Sequence, residues 1–150
     1  MMLVGMKPRL VGINHVALQV DDLEEAVAFY SELFRPTAVD RSEPHAAFLE
    51  LGDQFIALFE RGSREEEPHF GLVVDDKEAA RQALIAAGVE LVPGPFLDFR
   101  DPWGNRVEIV GYDNVQFTKA PNVLRGMGLT GLAKNANARK ELADKGMAPE

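Results

Sequence analysis

The sequence predicts an α+β domain made of two tandem βαβββ modules, and three observations lead there. An apolar, β-branched run is followed by an amphipathic helix and three short strand-like runs. The same order then recurs at a spacing of about 55 residues, which predicts two similar modules rather than one arbitrary fold. Caps and turn formers, not long linkers, separate the elements.

The first module spans about residues 10–60. Leu10 to Val20 reads as a strand because it is apolar and β-branched. Asp21 or Asp22 caps a helix from Leu23 to Phe34, whose apolar positions Leu23, Ala26, Val27, Tyr30, Leu33 and Phe34 recur at steps of three and four. Glu24 and Glu25 suit the positive end of its dipole, and Pro36 ends it. Strands follow at Thr37 to Arg41, Ala46 to Leu51 and Gln54 to Phe59, the last two joined by a tight turn at Gly52-Asp53. A polar run from Arg61 to Glu67 closes the module.

The second module spans about residues 68–112. His69 to Val74 is a strand, Asp75 and Asp76 cap, and Lys77 to Ala87 is an alanine-rich helix stopped by Gly88. Strands fit Val89 to Val92, Phe96 to Arg100 and Arg106 to Val110, with a turn at Asp101 to Asn105. The domain is taken as residues 1–113, and residues 114–150 as a C-terminal arm. Val115 to Met127 reads as irregular, and Ala136 to Lys145 as a short helix ending at Gly146. A helix of that size is marginal alone, so the arm is expected to dock through Phe117, Leu124, Met127 and Leu129, on its own body or on a neighbouring subunit.

Charge supports that docking. Residues 117–150 carry 6 basic and 3 acidic side chains, against 10 and 21 in residues 1–116. The net charge of −8 argues against nucleic acid and anionic membrane surfaces as partners, since both reward clustered Lys and Arg. Without cysteine there is no disulfide, thiolate nucleophile or Cys-ligated metal, so any metal must use His and carboxylate. Met1 to Leu10 is too poor in apolar residues for a signal-peptide core and no run approaches 18 apolar residues, so the expected location is cytoplasmic.

Strand alternation brings out the chemistry. If Val16, Leu18 and Val20 pack under a helix, His15 points to the other face. Phe70, Leu72 and Val74 likewise turn His69 to that face, and Val107 with Ile109 turns Glu108 there. Each residue alone has an ordinary reading, a structural or surface His or an exposed strand carboxylate. Their convergence at matching places in the two modules points to two imidazoles and one carboxylate around an open-site divalent metal, such as Fe(II) or Mn(II). Phe48 and Glu50, then Phe55, Ala57 and Phe59, then Phe96, Asp98 and Arg100 fall on the same face, an aromatic pocket with a few polar groups. Asp98 or Glu50 is a candidate general base and Arg100 a candidate clamp for a carboxylate or enolate oxygen. The plainer reading of Arg100 is an ion pair with Asp98 or Asp101, and that of His45 is solvent exposure.

Ile13-Asn14-His15-Val16-Ala17-Leu18, His69-Phe70-Gly71 and Asp101-Pro102-Trp103-Gly104-Asn105-Arg106-Val107-Glu108 together resemble the vicinal oxygen chelate superfamily, over about residues 10–112. That family holds glyoxalase I, extradiol dioxygenases, fosfomycin-resistance transferases, methylmalonyl-CoA epimerase and metal-free antibiotic-binding proteins. The resemblance implies a curled mixed sheet around a metal cavity, commonly in a homodimer, and one divalent metal per chain on His15, His69 and Glu108. Fe(II) or Mn(II) is favoured, with Zn(II) or Ni(II) as alternatives. It implies action on a small organic substrate with vicinal oxygens, dioxygenase-like or glyoxalase/isomerase-like; the alternative is metal-free binding and sequestration of a drug or antibiotic. Two departures stand out. Glyoxalase I-like members take a fourth ligand from the fourth strand, where this chain has Ala57. Extradiol dioxygenases and the transferases usually carry a tyrosine in the seventh strand, where this chain has Asp98.

Overall fold

A computed structural model describes residues 7–62 and 67–149. Residues 1–6 of the Met1 to Leu10 start, residues 63–66 of the polar run and residue 150 of the arm lie outside the described residues. The first module comprises β1 (Leu10–Val20), α1 (Leu23–Leu33), β2 (Ala38–Asp40), β3 (Ala46–Leu51) and β4 (Gln54–Glu60). The second comprises β5 (His69–Val74), α2 (Lys77–Ala86), β6 (Leu91–Val92), β7 (Leu97–Arg100) and β8 (Arg106–Gly111). Each helix starts where a carboxylate replaces the missing helical acceptor: Asp22 takes the Glu25 N–H and Asp76 the Ala79 N–H, both at 2.9 Å.

The eight strands form one curled, unclosed mixed sheet in the order β2-β3-β4-β1-β5-β8-β7-β6. β1 runs parallel to β4 and β5 parallel to β8, while antiparallel β1 and β5 join the modules at the centre. The two His-bearing strands are thus neighbours, and β8 adds Glu108 from the next position. The core follows the alternation. One face packs Leu23, Leu49 and Leu58 with α1, and Leu97, Val107 and Ile109 with α2. The other face holds Ala17, Ala46, Ala57 and Phe59, and beside them Val73 and Val110.

The arm covers that second patch. Phe117 and Leu129 are buried against Val11, Val73, Val110 and Tyr112, with Leu124 and Met127 packed on them, so all four expected anchors meet the chain's own body. Gly12 makes the docking geometry possible, because a Cβ there would lie 2.4 Å from Phe117 Cζ. Lys134 ties the arm down: its buried Nζ donates to the Tyr112 carbonyl at 2.6 Å and to the Phe117 carbonyl, and lies 3.4 Å from the centre of the Tyr112 ring. Burial lowers this amine to about 8.

Three sequence expectations need correction. The arm is not irregular throughout, because Pro121–Gly126 form a helical turn, α3, before α4 (Ala136–Asp144). Pro121 sits at the first helical position, where its fixed φ is already helical and its missing N–H costs nothing. The expected strand over 89–92 contracts to Leu91–Val92, with the Val89 N–H given to the Leu84 carbonyl at the end of α2, and Phe96 falls outside β7, where Pro93 and Pro95 remove the donors that would extend the ladder.

Candidate metal centre

The site begins with an irregularity in β1. Its register against β5 pairs Ile13 with Leu72 and then His15 with Gly71, so Asn14 is an extra residue. A bulge of this kind re-aims the side chains around it. Asn14 and His15 are consequently both buried. The Asn14 Oδ1 accepts from His15 Nδ1 at 2.9 Å, which leaves the His15 Nε2 lone pair facing the cavity. Gly71 is what admits the ring: a Cβ there would lie 2.3 Å from His15 Nδ1 and 2.2 Å from Asn14 Oδ1. Phe55 stacks on the other side of the imidazole, centroids 4.7 Å apart and planes within 3°.

His69, at the start of β5, donates from Nδ1 to the Glu67 carbonyl at 2.8 Å. A carbonyl only accepts, so here too the proton sits on Nδ1 and Nε2 is the free donor atom. The three candidate ligand atoms then form a near-equilateral triangle. His15 Nε2 is 3.3 Å from His69 Nε2, and Glu108 Oε1 is 3.4 Å and 3.5 Å from the two nitrogens. The side chains are 6%, 6% and 18% exposed, so the triangle is sheltered but not sealed.

The donor set fits a divalent ion. The corners of a triangle of that edge lie about 2.0 Å from its centre, the usual metal–nitrogen and metal–oxygen bond length. Both imidazoles are held from behind by an acceptor on the far nitrogen, as ligating histidines are. Burial pushes the Glu108 carboxyl up, but the two imidazoles more than reverse this and bring it down to about 2. Burial lowers His69, yet the Glu108 carboxylate and the Glu67 carbonyl outweigh it and leave the ring raised. A charged carboxylate against two such rings is what a cation would replace and hold.

Beside the triangle opens a cavity of about 480 Å³, lined by Phe48, Phe55, Ala57, Phe59 and Phe96 together with Asn14, His15, His69 and Glu108. The five residues that alternation put on this face all line the cavity. Phe48 meets Phe55 and Phe59 edge to face, at 5.8 and 6.5 Å. Glu50 also lines the cavity, paired with Lys145 at the end of α4. Lys145 and Glu141 of α4 and Asn114 to Gln116 complete the wall, so the arm forms part of the site, a role the sequence left open.

Asp98 and Arg100 sit differently from their expected place in the pocket, for neither lines the cavity. Asp98 pairs with Glu108 across the β7–β8 ladder, but its Oδ2 takes Arg106 Nε at 2.8 Å and Nη2 at 2.6 Å. Its other oxygen is buried without a hydrogen-bond partner among the described residues. Arg100 grips Glu67 through two bonds of 2.7 and 2.5 Å and approaches Glu90 at 3.4 Å. These ion pairs near the sheet edge turn both side chains away from the triangle, and the partners of Arg100 are neither Asp98 nor Asp101. His45 is more than half exposed and 3.6 Å from Glu60.

Residues 12–109 match the model of the glyoxalase/bleomycin resistance protein/dioxygenase superfamily. The glutathione transferase FosA of Serratia marcescens is 31% identical over 114 residues, covering 67% of this chain and 80% of that protein. The metallothiol transferase FosB of Shouchella clausii is 26% identical over 115 residues, covering 65% and 78%. Among solved structures, the Mn(II)-bound glyoxalase of Novosphingobium aromaticivorans is similar with a TM-score of 0.56 and 18% identity, over 69% of this chain and 40% of that one. The curled sheet, the two modules and the matched span agree: the chain belongs to the glyoxalase/bleomycin resistance protein/dioxygenase superfamily.

Proposed function

We propose that this protein is a divalent-metal-dependent enzyme acting on a small organic substrate with two adjacent oxygens. The observation that carries the reading is the triangle of His15 Nε2, His69 Nε2 and Glu108 Oε1, 3.3–3.5 Å on a side, at the wall of an aromatic cavity. Three protein ligands leave positions for solvent or substrate, and Ala57 supplies no fourth. His15, His69 and Glu108 would hold Fe(II) or Mn(II), or alternatively Zn(II) or Ni(II), and such an ion would supply Lewis acidity towards the substrate's oxygens or, as Fe(II), redox chemistry with dioxygen.

The chain's own groups do the rest. Asn14 and the Glu67 carbonyl fix the two imidazoles, Phe55 holds His15 flat and keeps water from it, and Phe48, Phe59 and Phe96 surround the substrate's apolar part. Of the three polar residues expected to act on the substrate, Glu50 is the one that faces it. Asp98 serves by holding Arg106 beside the site, and Arg100 by fixing Glu67, whose carbonyl orients His69.

This reading includes a cytoplasmic protein that pairs with a second copy. Ile13, Val16, Phe29, Leu33 and Phe34, each at least 40% exposed, supply apolar surface for such a pair, and sedimentation at micromolar concentration tests it. The function is tested by elemental analysis of protein purified without chelator, beside the His69→Ala variant. About one divalent metal per chain, lost in the variant, is expected. Oxygen uptake with Fe(II) then separates dioxygenase from glyoxalase or isomerase chemistry. No metal, and no affinity for added Fe(II), Mn(II), Zn(II) or Ni(II), would replace this reading by metal-free sequestration of a small molecule.

A further inference from the structure

The pairing of the strands orders the cavity wall. Glu108, Gly71, His15, Phe55 and Glu50 are successive partners across β8, β5, β1, β4 and β3, so they form one row on one face. Strands lie about 4.8 Å apart, which places Glu50 two strands, about 9.5 Å at the Cα level, beyond His15. From one end to the other the row reads metal ligands, a phenyl ring stacked against His15, then a carboxylate.

The far end already holds an ammonium group. Lys145, carried on the last turn of α4, places its Nζ against Glu50 inside the cavity wall. Among the described residues it is the one Lys or Arg in the lining, and Glu50 neutralises it. Besides Glu108 and Glu50, the lining includes Asp40, Asp53 and Glu141. An anionic tail on the substrate would meet these carboxylates, with Lys145 already held by Glu50. A positive tail would meet them together with the faces of Phe48 and Phe55, and aromatic faces attract cations.

We propose that the substrate is an organic cation, with its vicinal oxygens at the triangle, its apolar body over Phe55 and an ammonium-type group at Glu50, where it takes the place of Lys145. The oxygen end of this assignment rests on the proposed metal reading; the cation end rests on Glu50 with Lys145, the rings beside them and the lining carboxylates, and needs no metal.

The experiment is calorimetric binding of three catechols, bearing an aminoethyl, a hydroxyethyl or a carboxyethyl chain, to the full-length protein with and without Mn(II). The aminoethyl probe is expected to bind at least tenfold more tightly than the carboxyethyl probe in the loaded protein, and in the same order without metal. Lys145→Met, which empties the seat, raises aminoethyl affinity several-fold and leaves the neutral probe unchanged, a gain that misfolding cannot produce. Glu50→Gln removes the preference. Equal or tighter binding of the carboxyethyl probe, no catechol binding to either form, or an unaltered ranking in both variants overturns the proposal. If Mn(II) fails to bind while the metal-free protein keeps the ranking, the metal reading falls and the cation assignment stands.

Discussion

Replacing Gly71 by alanine adds one methyl group at the point where β5 passes behind His15. The new Cβ would lie 2.3 Å from His15 Nδ1, 2.4 Å from its Cε1 and 2.2 Å from Asn14 Oδ1. Ordinary contact needs about 3.4 Å, so the imidazole or the strand must move by about 1 Å. His15 has little room to yield, because Phe55 stacks on it at 4.7 Å. A ligand held to about 0.2 Å does not survive a shift of that size. The expected result is loss of one ligand of three, a fall of at least a hundredfold in metal affinity, and an overpacking cost of about 1–3 kcal/mol in the metal-free protein. Titration with Mn(II) reads the first and urea denaturation the second. A Gly71→Ala protein that binds Mn(II) with wild-type affinity would refute both the close approach and the assignment of His15 as a ligand.

Other consequences are checked by similar means. Asn14→Ala removes the acceptor behind His15 and is expected to weaken Mn(II) binding about 10- to 100-fold while Glu108 and His69 stay in place; unchanged affinity would show that the imidazole needs no such support. Phe117→Ala opens a void over Gly12 and is expected to cost about 3–5 kcal/mol in urea denaturation, with little loss if the arm does not dock there. In metal-free protein, Glu108 titrates at about 2 against an ordinary 4.5, so its stabilisation is complete above the unfolded value and lost as pH falls from about 4.5 towards 2. His69, raised above its ordinary 6.5, contributes the opposite slope, present below 6.5 and lost as pH rises through its folded value. Urea midpoints across pH should show both limbs, and Glu108→Gln should flatten the acid one.

What could be read from the residues depended on whether the information was periodic. The helices at 23–33 and 77–86 announce themselves by caps and spacing, and the doubled strand order announces the modules. Alternation alone also put His15, His69 and Glu108 on one face, because Leu18 and Val20, Phe70 and Leu72, and Val107 and Ile109 go under the helices, although Val16 next to His15 stays 40% exposed. The same rule failed for Asp98 and Arg100. Parity does place Asp98 opposite Glu108 in the ladder, but parity gives only the direction of Cβ, whereas a charged tip goes where its counter-ion is, and Arg106 and Glu67 lie closer than the triangle.

Asn14 shows a second limit. Strict alternation would turn it away from His15, and only the slipped register against Leu72 and Gly71 brings its amide back to the imidazole. No local preference marks a bulge in Ile13-Asn14-His15, since the slip is a property of the strand pair. Gly71 was the available signal: a glycine inside an otherwise bulky strand, where it weakens the strand, marks a place that something must approach closely. Joined to a histidine two residues earlier, it marks the strand as one built around an imidazole from its neighbour. Lys145 gave no comparable sign, being one more charge in a basic tail until α4 is docked, and its position against Glu50 is what turns the tail from a covering element into part of the cavity wall.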